Sequence, residues 1–207
     1  MISHKHKVIF IHQRKCAGSS IISSFGLTTA DPEWHAFNDG VVSENPWWSE
    51  VRQHHADYHI FTVVRNPWDR FISAWKYLPA LRNLPLETVL QNLPREGHDF
   101  RHITRPQSQI LLDRNGSLVA NILRFENLQA DFDQFCTTSG IPLRTLPTIN
   151  QTEHDHYSRY FKTKKTRDLF ERHFWLDITL FGYEFDDGHK PGRSFHFPWK
   201  TSFSVVS

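Results

Sequence analysis

Two short segments of this chain carry residues whose types and spacing suit the binding of anions. The first is Val8-Ile9-Phe10-Ile11-His12-Gln13-Arg14-Lys15-Cys16-Ala17-Gly18-Ser19-Ser20-Ile21. The second is Phe61-Thr62-Val63-Val64-Arg65-Asn66-Pro67-Trp68-Asp69-Arg70-Phe71-Ile72-Ser73-Ala74-Trp75. Each reads as a buried strand, a tight polar turn and the start of a helix. A helix start in that setting attracts anions, because its first N–H groups lack intrahelical partners and the helix dipole points the same way. The first turn adds Arg14, Lys15 and the hydroxyls of Ser19 and Ser20. The second adds Arg65 before its helix and Ser73 within it. Two such turns at neighbouring strand ends imply a ligand with two separate anionic groups.

The elements that must hold these turns can be read from the apolar pattern. Lys7 to His12 contains an apolar run of strand length, and His59 to Val64 is a second. A helix is expected from Ser19 through Phe25, ended by Gly26. Pro67 suits a first helical turn with Asn66 as its cap, and Phe71, Ala74, Trp75 and Leu78 form the apolar stripe that follows. Leu86 to Leu93 reads as a short amphipathic helix. Asn115-Gly116 suggests a hairpin-like turn between Gln107–Leu112 and Leu118–Arg124. Leu128, Phe132, Phe135 and Cys136 mark another helix that stops near Gly140. A last helix, Thr163 to Leu176, is expected to pack through Phe170, Phe174 and Trp175. Strands alternating with helices predict an α/β fold with a central, mainly parallel sheet flanked by helices, a P-loop-type three-layer sandwich. Residues 1–185 form the expected domain and 186–207 an irregular C-terminal extension.

Composition narrows the class. The 207 residues are enough for one full core, and 39% hydrophobic content makes the chain globular. A net charge of +2 argues against a dedicated nucleic-acid binder, so the basic residues that matter are local. Two cysteines, Cys16 and Cys136, are too few for a disulfide scaffold. No apolar stretch approaches the length of a membrane span or a secretion signal, which predicts a soluble, cytoplasmic protein.

The first turn departs from the ATP-binding P-loop, where Lys directly follows the last Gly and a Ser or Thr then holds magnesium. Here Lys15 precedes Gly18 by three residues. The strand ending at Val64 is followed by Arg65, where a metal-holding acid would be expected. An arginine there suits a second phosphate through paired hydrogen bonds. A magnesium-dependent P-loop kinase is therefore the disfavoured alternative, and a non-catalytic nucleotide-binding relative is another.

These residues resemble a known family. Lys15-Cys16-Ala17-Gly18-Ser19-Ser20 is similar to the 5′-phosphosulfate loop of sulfotransferases, and Val64 to Arg70 with Ser73 is similar to their 3′-phosphate motif. The likeness is greatest to the branch of chondroitin, dermatan and heparan 2-O sulfotransferases and small bacterial relatives. It continues through Arg105-Pro106-Gln107, Arg124 to Leu128, Leu146-Pro147 with Asn150, and Asp177-Ile178 with Phe181 to Glu184, so it spans residues 7 to 185.

The resemblance implies the donor 3′-phosphoadenosine 5′-phosphosulfate, with 3′,5′-ADP as product and no metal required. It implies that Lys15 contacts the bridging and sulfuryl oxygens and that Ala17, Gly18, Ser19 and Ser20 hold the 5′-phosphate; Arg14 and Cys16, in the same turn, are counted with the donor-binding residues. It assigns Arg65 and Ser73 to the 3′-phosphate. The implied acceptor is a hydroxyl, most naturally on a carbohydrate, and it needs a base; His suits this near neutral pH. His35, in Glu33-Trp34-His35 after the first helix, is the favoured base, and His102, before Arg105-Pro106-Gln107, is the competing one. Other residues read as structural. Cys16 is taken as a small loop residue, Arg70 as an ion-pair partner, and Arg124 and Glu126 as a pair at a strand end.

Overall fold

The computed structural model describes residues 1–28, 51, 53–93, 100, 104–149 and 153–188. Four strands form one sheet in the order β1-β2-β3-β4: β1 (Ile2–Ser3), β2 (Val8–Ile11), β3 (His59–Val64) and β4 (Asn121–Arg124). β1 runs antiparallel to β2, while β2, β3 and β4 are parallel, with Ile11 beside Thr62 and Val64 beside Arg124. The helices are α1 (Gly18–Ser24), α2 (Pro67–Tyr77), α3 (Leu86–Gln91), α4 (Leu128–Thr138) and α5 (Lys164–Leu180). The architecture is the expected α/β layered sandwich around a mainly parallel sheet. Among the described residues no helix is long and apolar enough to cross a membrane.

The apolar runs behave as a sheet covered on both sides requires. Side chains alternate along a strand. Val8 and Phe10 join Phe61, Val63 and Leu123 in one core with Ile21 and Phe25 of α1 and Phe132 and Phe135 of α4. Ile9, Ile11 and Val64 point to the other face and meet Ile110, Leu111, Val119 and Phe181. A third core joins α2 to α5 through Trp68, Phe71, Phe170 and Phe174.

Helix ends follow the local sequence. Asn66 Oδ1 accepts from the N–H groups of Trp68 at 3.0 Å and Asp69 at 3.2 Å, and Pro67 opens α2. Thr163 Oγ1 accepts from the Thr166 N–H at 3.1 Å at the start of α5. Gly140, at φ +65°, follows α4, and the Ile141 N–H returns to the Cys136 carbonyl at 2.8 Å.

The expected hairpin-like turn is present, and two expectations about the last helix need correction. The Asn115-Gly116 turn forms, with Leu112 bridging Leu118. Its arms make only this bridge: Ser108–Ile110 is a 3₁₀ turn, and β4 takes β3 as its ladder partner. The last helix runs on to Leu180, and Trp175 is 60% exposed rather than packed. β1 was not anticipated. Asp186, Asp187 and Gly188 of the expected extension are placed, the Asp186 N–H donating to Tyr157 Oη at 2.8 Å. Residues 189–207 lie outside the described part.

Candidate active site

The first turn leaves β2 at His12 and enters α1 at Gly18, with Lys15 at φ +64° and Ala17 at φ +56°. Left-handed geometry costs a non-glycine residue about 1–2 kcal/mol and persists only where the surroundings impose it. Here they do. Arg65 Nη1 donates to the Lys15 carbonyl at 3.0 Å, and Arg70 Nε donates to the Arg14 carbonyl at 3.2 Å. Gln13 Nε2 donates to the Gln107 carbonyl at 2.9 Å. Because a trans peptide points its C=O and N–H in opposite directions, the N–H groups of Lys15 and Cys16 face away from these arginines.

Gly18 is required by a close approach. A Cβ there would lie 2.0 Å from His12 Nε2 and 2.1 Å from its Cδ2. His12 therefore packs its ring on the start of α1. The sequence reading treated it only as the end of a strand. Ala17 caps α1 with no side-chain hydrogen bond. Ser20 is buried and Ser19 half-buried.

Lys15 is the cation at the front of the turn. Its Nζ lies 4.1 Å from the centre of the Tyr77 ring. Burial, and then the neighbouring Arg65 charge, lower its pKa to about 8. Cys16 is fully buried, with Sγ 3.4 Å from Gln107 Oε1 and 3.5 Å from the Arg14 carbonyl. Burial pushes its thiol up to about 12, so Cys16 is the inert loop residue expected and not a nucleophile.

The second turn lies beside the first because β2 and β3 pair in register. Arg65 is 9% exposed. Its Nε and Nη2 both reach Asp69 Oδ2 at 2.7 Å, and its guanidinium lies 4.1 Å from the centre of the Phe125 ring. His154 Nε2 is 3.9 Å from the other Asp69 oxygen. A guanidinium has five N–H donors, and those bonds with the one to Lys15 use three. The Asn66 N–H donates to Glu126 Oε1 at 2.6 Å. Ser73 lies two turns along α2 and is 1% exposed.

Two structural expectations are revised. Arg70, 2% exposed, has no ion-pair partner among the described residues; besides the Arg14 carbonyl it holds the Arg105 carbonyl at 2.8 Å through Nη2. Arg124 and Glu126 do not pair. Arg124 Nη2 donates to the Phe181 carbonyl at 2.6 Å, while Glu126 Oε2 accepts from Tyr183 Oη at 3.0 Å. The Tyr183 hydroxyl pKa is driven far upward by burial, so it stays a donor.

The structure thus gathers Arg14, Lys15, Cys16, Ala17, Gly18, Ser19 and Ser20 in one turn with Arg65 bonded to it. His35 and His102, the two candidate bases, lie outside the described residues. Among the described residues no group of three or more His, Cys, Asp or Glu could hold a metal ion. Gln107 and Asp177 are wholly buried polar residues beside the turns, and nothing in their local sequence marks them as partners.

Two cationic turns at adjacent strand ends can hold two anionic groups and stabilise charge that develops between them. No curated protein and no solved structure matches the chain. The model of the sulfotransferase family matches residues 1–184, a span that takes in both turns and helices α1 to α5. The chain therefore belongs to the sulfotransferase family.

Proposed function

We propose that the chain transfers the sulfuryl group of 3′-phosphoadenosine 5′-phosphosulfate to a hydroxyl, with a carbohydrate as the acceptor. The supporting observation is the bond from Arg65 Nη1 to the Lys15 carbonyl at 3.0 Å. It sets two cations at adjoining strand ends, one for each phosphate of this donor. The donor set fits: a lysine, an arginine, serine hydroxyls and the N–H groups of a helix start are all anion ligands.

In this reading the Lys15–Ser20 turn holds the 5′-phosphate, while Arg65 and Ser73 hold the 3′-phosphate. Because Arg65 already shares Asp69, the 3′-phosphate takes its remaining donors or competes with that carboxylate. The acceptor oxygen bonds to sulfur as the bond from sulfur to the 5′-phosphate oxygen breaks. Lys15 stabilises the charge that arrives on the leaving oxygen, and the base, His35 or His102, accepts the hydroxyl proton.

The test combines binding and turnover. Calorimetry should show 3′,5′-ADP binding without metal and more tightly than ATP with magnesium. Transfer of labelled sulfate to a glycan panel should then identify an acceptor. Lys15→Ala should cost about 3 kcal/mol or more of transition-state stabilisation, as loss of a preorganised charge contact does. Arg65→Ala and Ser73→Ala should weaken 3′,5′-ADP far more than adenosine 5′-phosphosulfate, which lacks the 3′-phosphate. Near-normal turnover in Lys15→Ala, or tighter binding of ATP with magnesium, would overturn the reading. Separate His35→Ala and His102→Ala variants, scored for turnover against 3′,5′-ADP affinity, assign the base: the base variant loses turnover and keeps affinity.

A further inference from the structure

We propose that Gln107 is a positioning residue that sets the distance between the two anion-binding turns. A ligand with two anionic groups on one scaffold is then bound as a chelate, and the inference rests on the donor reading above.

Gln107 is 0% exposed, and each of its polar atoms is committed. Side-chain Oε1 accepts from the Arg65 N–H at 2.9 Å, and Nε2 donates to the Arg65 carbonyl at 2.9 Å. The amide thus pairs with both backbone groups of Arg65 as a neighbouring strand would, one residue beyond the end of β3. The same Oε1 accepts from Cys16 Sγ at 3.4 Å, and the Gln107 carbonyl accepts from Gln13 Nε2 at 2.9 Å. One residue therefore bonds to the first turn at two points and to the second turn at two.

The strut is anchored from behind. Asp177, 0% exposed on α5, accepts from the Gln107 N–H at 2.7 Å through Oδ2 and from the Ser108 N–H at 2.7 Å through Oδ1. The other described bonds between the turns come from Arg65 and Arg70. Arg65 is the side chain expected to reorient when phosphate arrives. Gln107 has no net charge and no such role, so its geometry is independent of the ligand. Chelation depends on the span between sites matching the span of the ligand, and a mismatch removes the gain without weakening either site alone.

The experiment uses the full chain with Gln107→Met, which keeps side-chain length and removes the amide, and Gln107→Asn, which keeps the amide but shortens the reach. Affinities for 3′,5′-ADP, 5′-AMP and 3′-AMP are measured by calorimetry, and thermal unfolding confirms that each variant is folded. If Gln107→Met does not fold, Gln107→Asn carries the test. The expected result is a loss of about tenfold or more for 3′,5′-ADP, with each monophosphate changed by less than about threefold, the pattern of a lost chelate. Equal losses for all three ligands, or no loss, would overturn the role of Gln107 while leaving the donor reading intact. A wild-type protein that binds 3′,5′-ADP no better than 5′-AMP would instead overturn the donor reading, and this inference with it.

Discussion

At the scale of single residues, the turn is shaped by contacts that leave no room for change. Gly18 has no side chain because the His12 ring occupies the space where a Cβ would sit, 2.0 Å from Nε2. Gly18→Ala must push the His12 ring aside or shift the start of α1, and overpacking of this kind costs about 1–3 kcal/mol. Removing the ring should recover most of that loss, so the double variant His12→Ala/Gly18→Ala should be more stable than Gly18→Ala alone. Denaturant unfolding of the wild type, both single variants and the double variant closes the cycle. A Gly18→Ala protein as stable as wild type, or a double variant no better than the single, would show that the contact is not limiting. The spacing of Lys15, Gly18, Arg65 and Ser73 was legible in the sequence because it is local. The His12–Gly18 contact was not, since nothing in the pattern tells which way a side chain at the end of a strand will turn.

At the scale of elements, legibility followed the length of the repeat. β2 and β3 were readable because parallel strands covered on both faces are continuous apolar runs. β1 is only Ile2–Ser3, too short to show a period. In α5 the stripe Phe170 and Phe174 was right, but the next buried position is Asp177, three residues on, not Trp175. Residues one apart on a helix do not share a face, and Phe174 itself has non-helical angles of φ −108° and ψ 17°. Asp177 joins Gln107 across 70 residues of sequence, so neither could be recognised as half of a pair. The same contrast gives a prediction. Phe170 is 0% exposed, with ring centres of Phe174, Phe161, Phe71 and Trp68 at 4.5, 5.1, 5.3 and 5.6 Å. Phe170→Ala should cost about 3–5 kcal/mol of folding stability, as other large buried aromatic truncations do. Trp175→Ala should stay within about 0.5 kcal/mol of wild type, as exposed positions do. Chemical denaturation reads both, and a large loss at Trp175 would contradict its exposure on α5.

At the scale of the whole molecule, the site and the stability of the fold make opposite demands on Lys15. Burial and the Arg65 charge lower its pKa from 10.5 to about 8, so the folded chain resists holding the proton that the role proposed for Lys15 requires. Between about 8 and 10.5 the unfolded chain binds more protons at this position than the folded one, so this contribution to stability rises with pH across that window. Lys15→Met keeps the side-chain length and removes the charge. It should be more stable than wild type at pH 7, with the gap closing as pH approaches 10.5, where wild-type Lys15 is neutral in the folded state. Lys7, which pairs with Asp57 and has its pKa raised, contributes with the opposite sign, but it is present in both proteins and cancels in the comparison. Cys16, raised from 9.0 to about 12 by burial, stays neutral in the folded chain while the unfolded thiol ionises, so it too contributes with the sign opposite to Lys15 and cancels in the comparison. Activity should run the other way. In the free enzyme kcat/KM for the donor should fall as pH rises through about 8, because the lysine loses its proton there. Bound phosphates beside Lys15 favour its charged form, so the corresponding limb in kcat should lie at higher pH. Unfolding curves at pH 7, 9 and 10 for both proteins, with rate profiles for the wild type, test the two halves together. A Lys15→Met protein less stable than wild type at pH 7, or a kcat/KM limb that does not precede the kcat limb, would mean that Lys15 is not the strained cation at the front of the donor site.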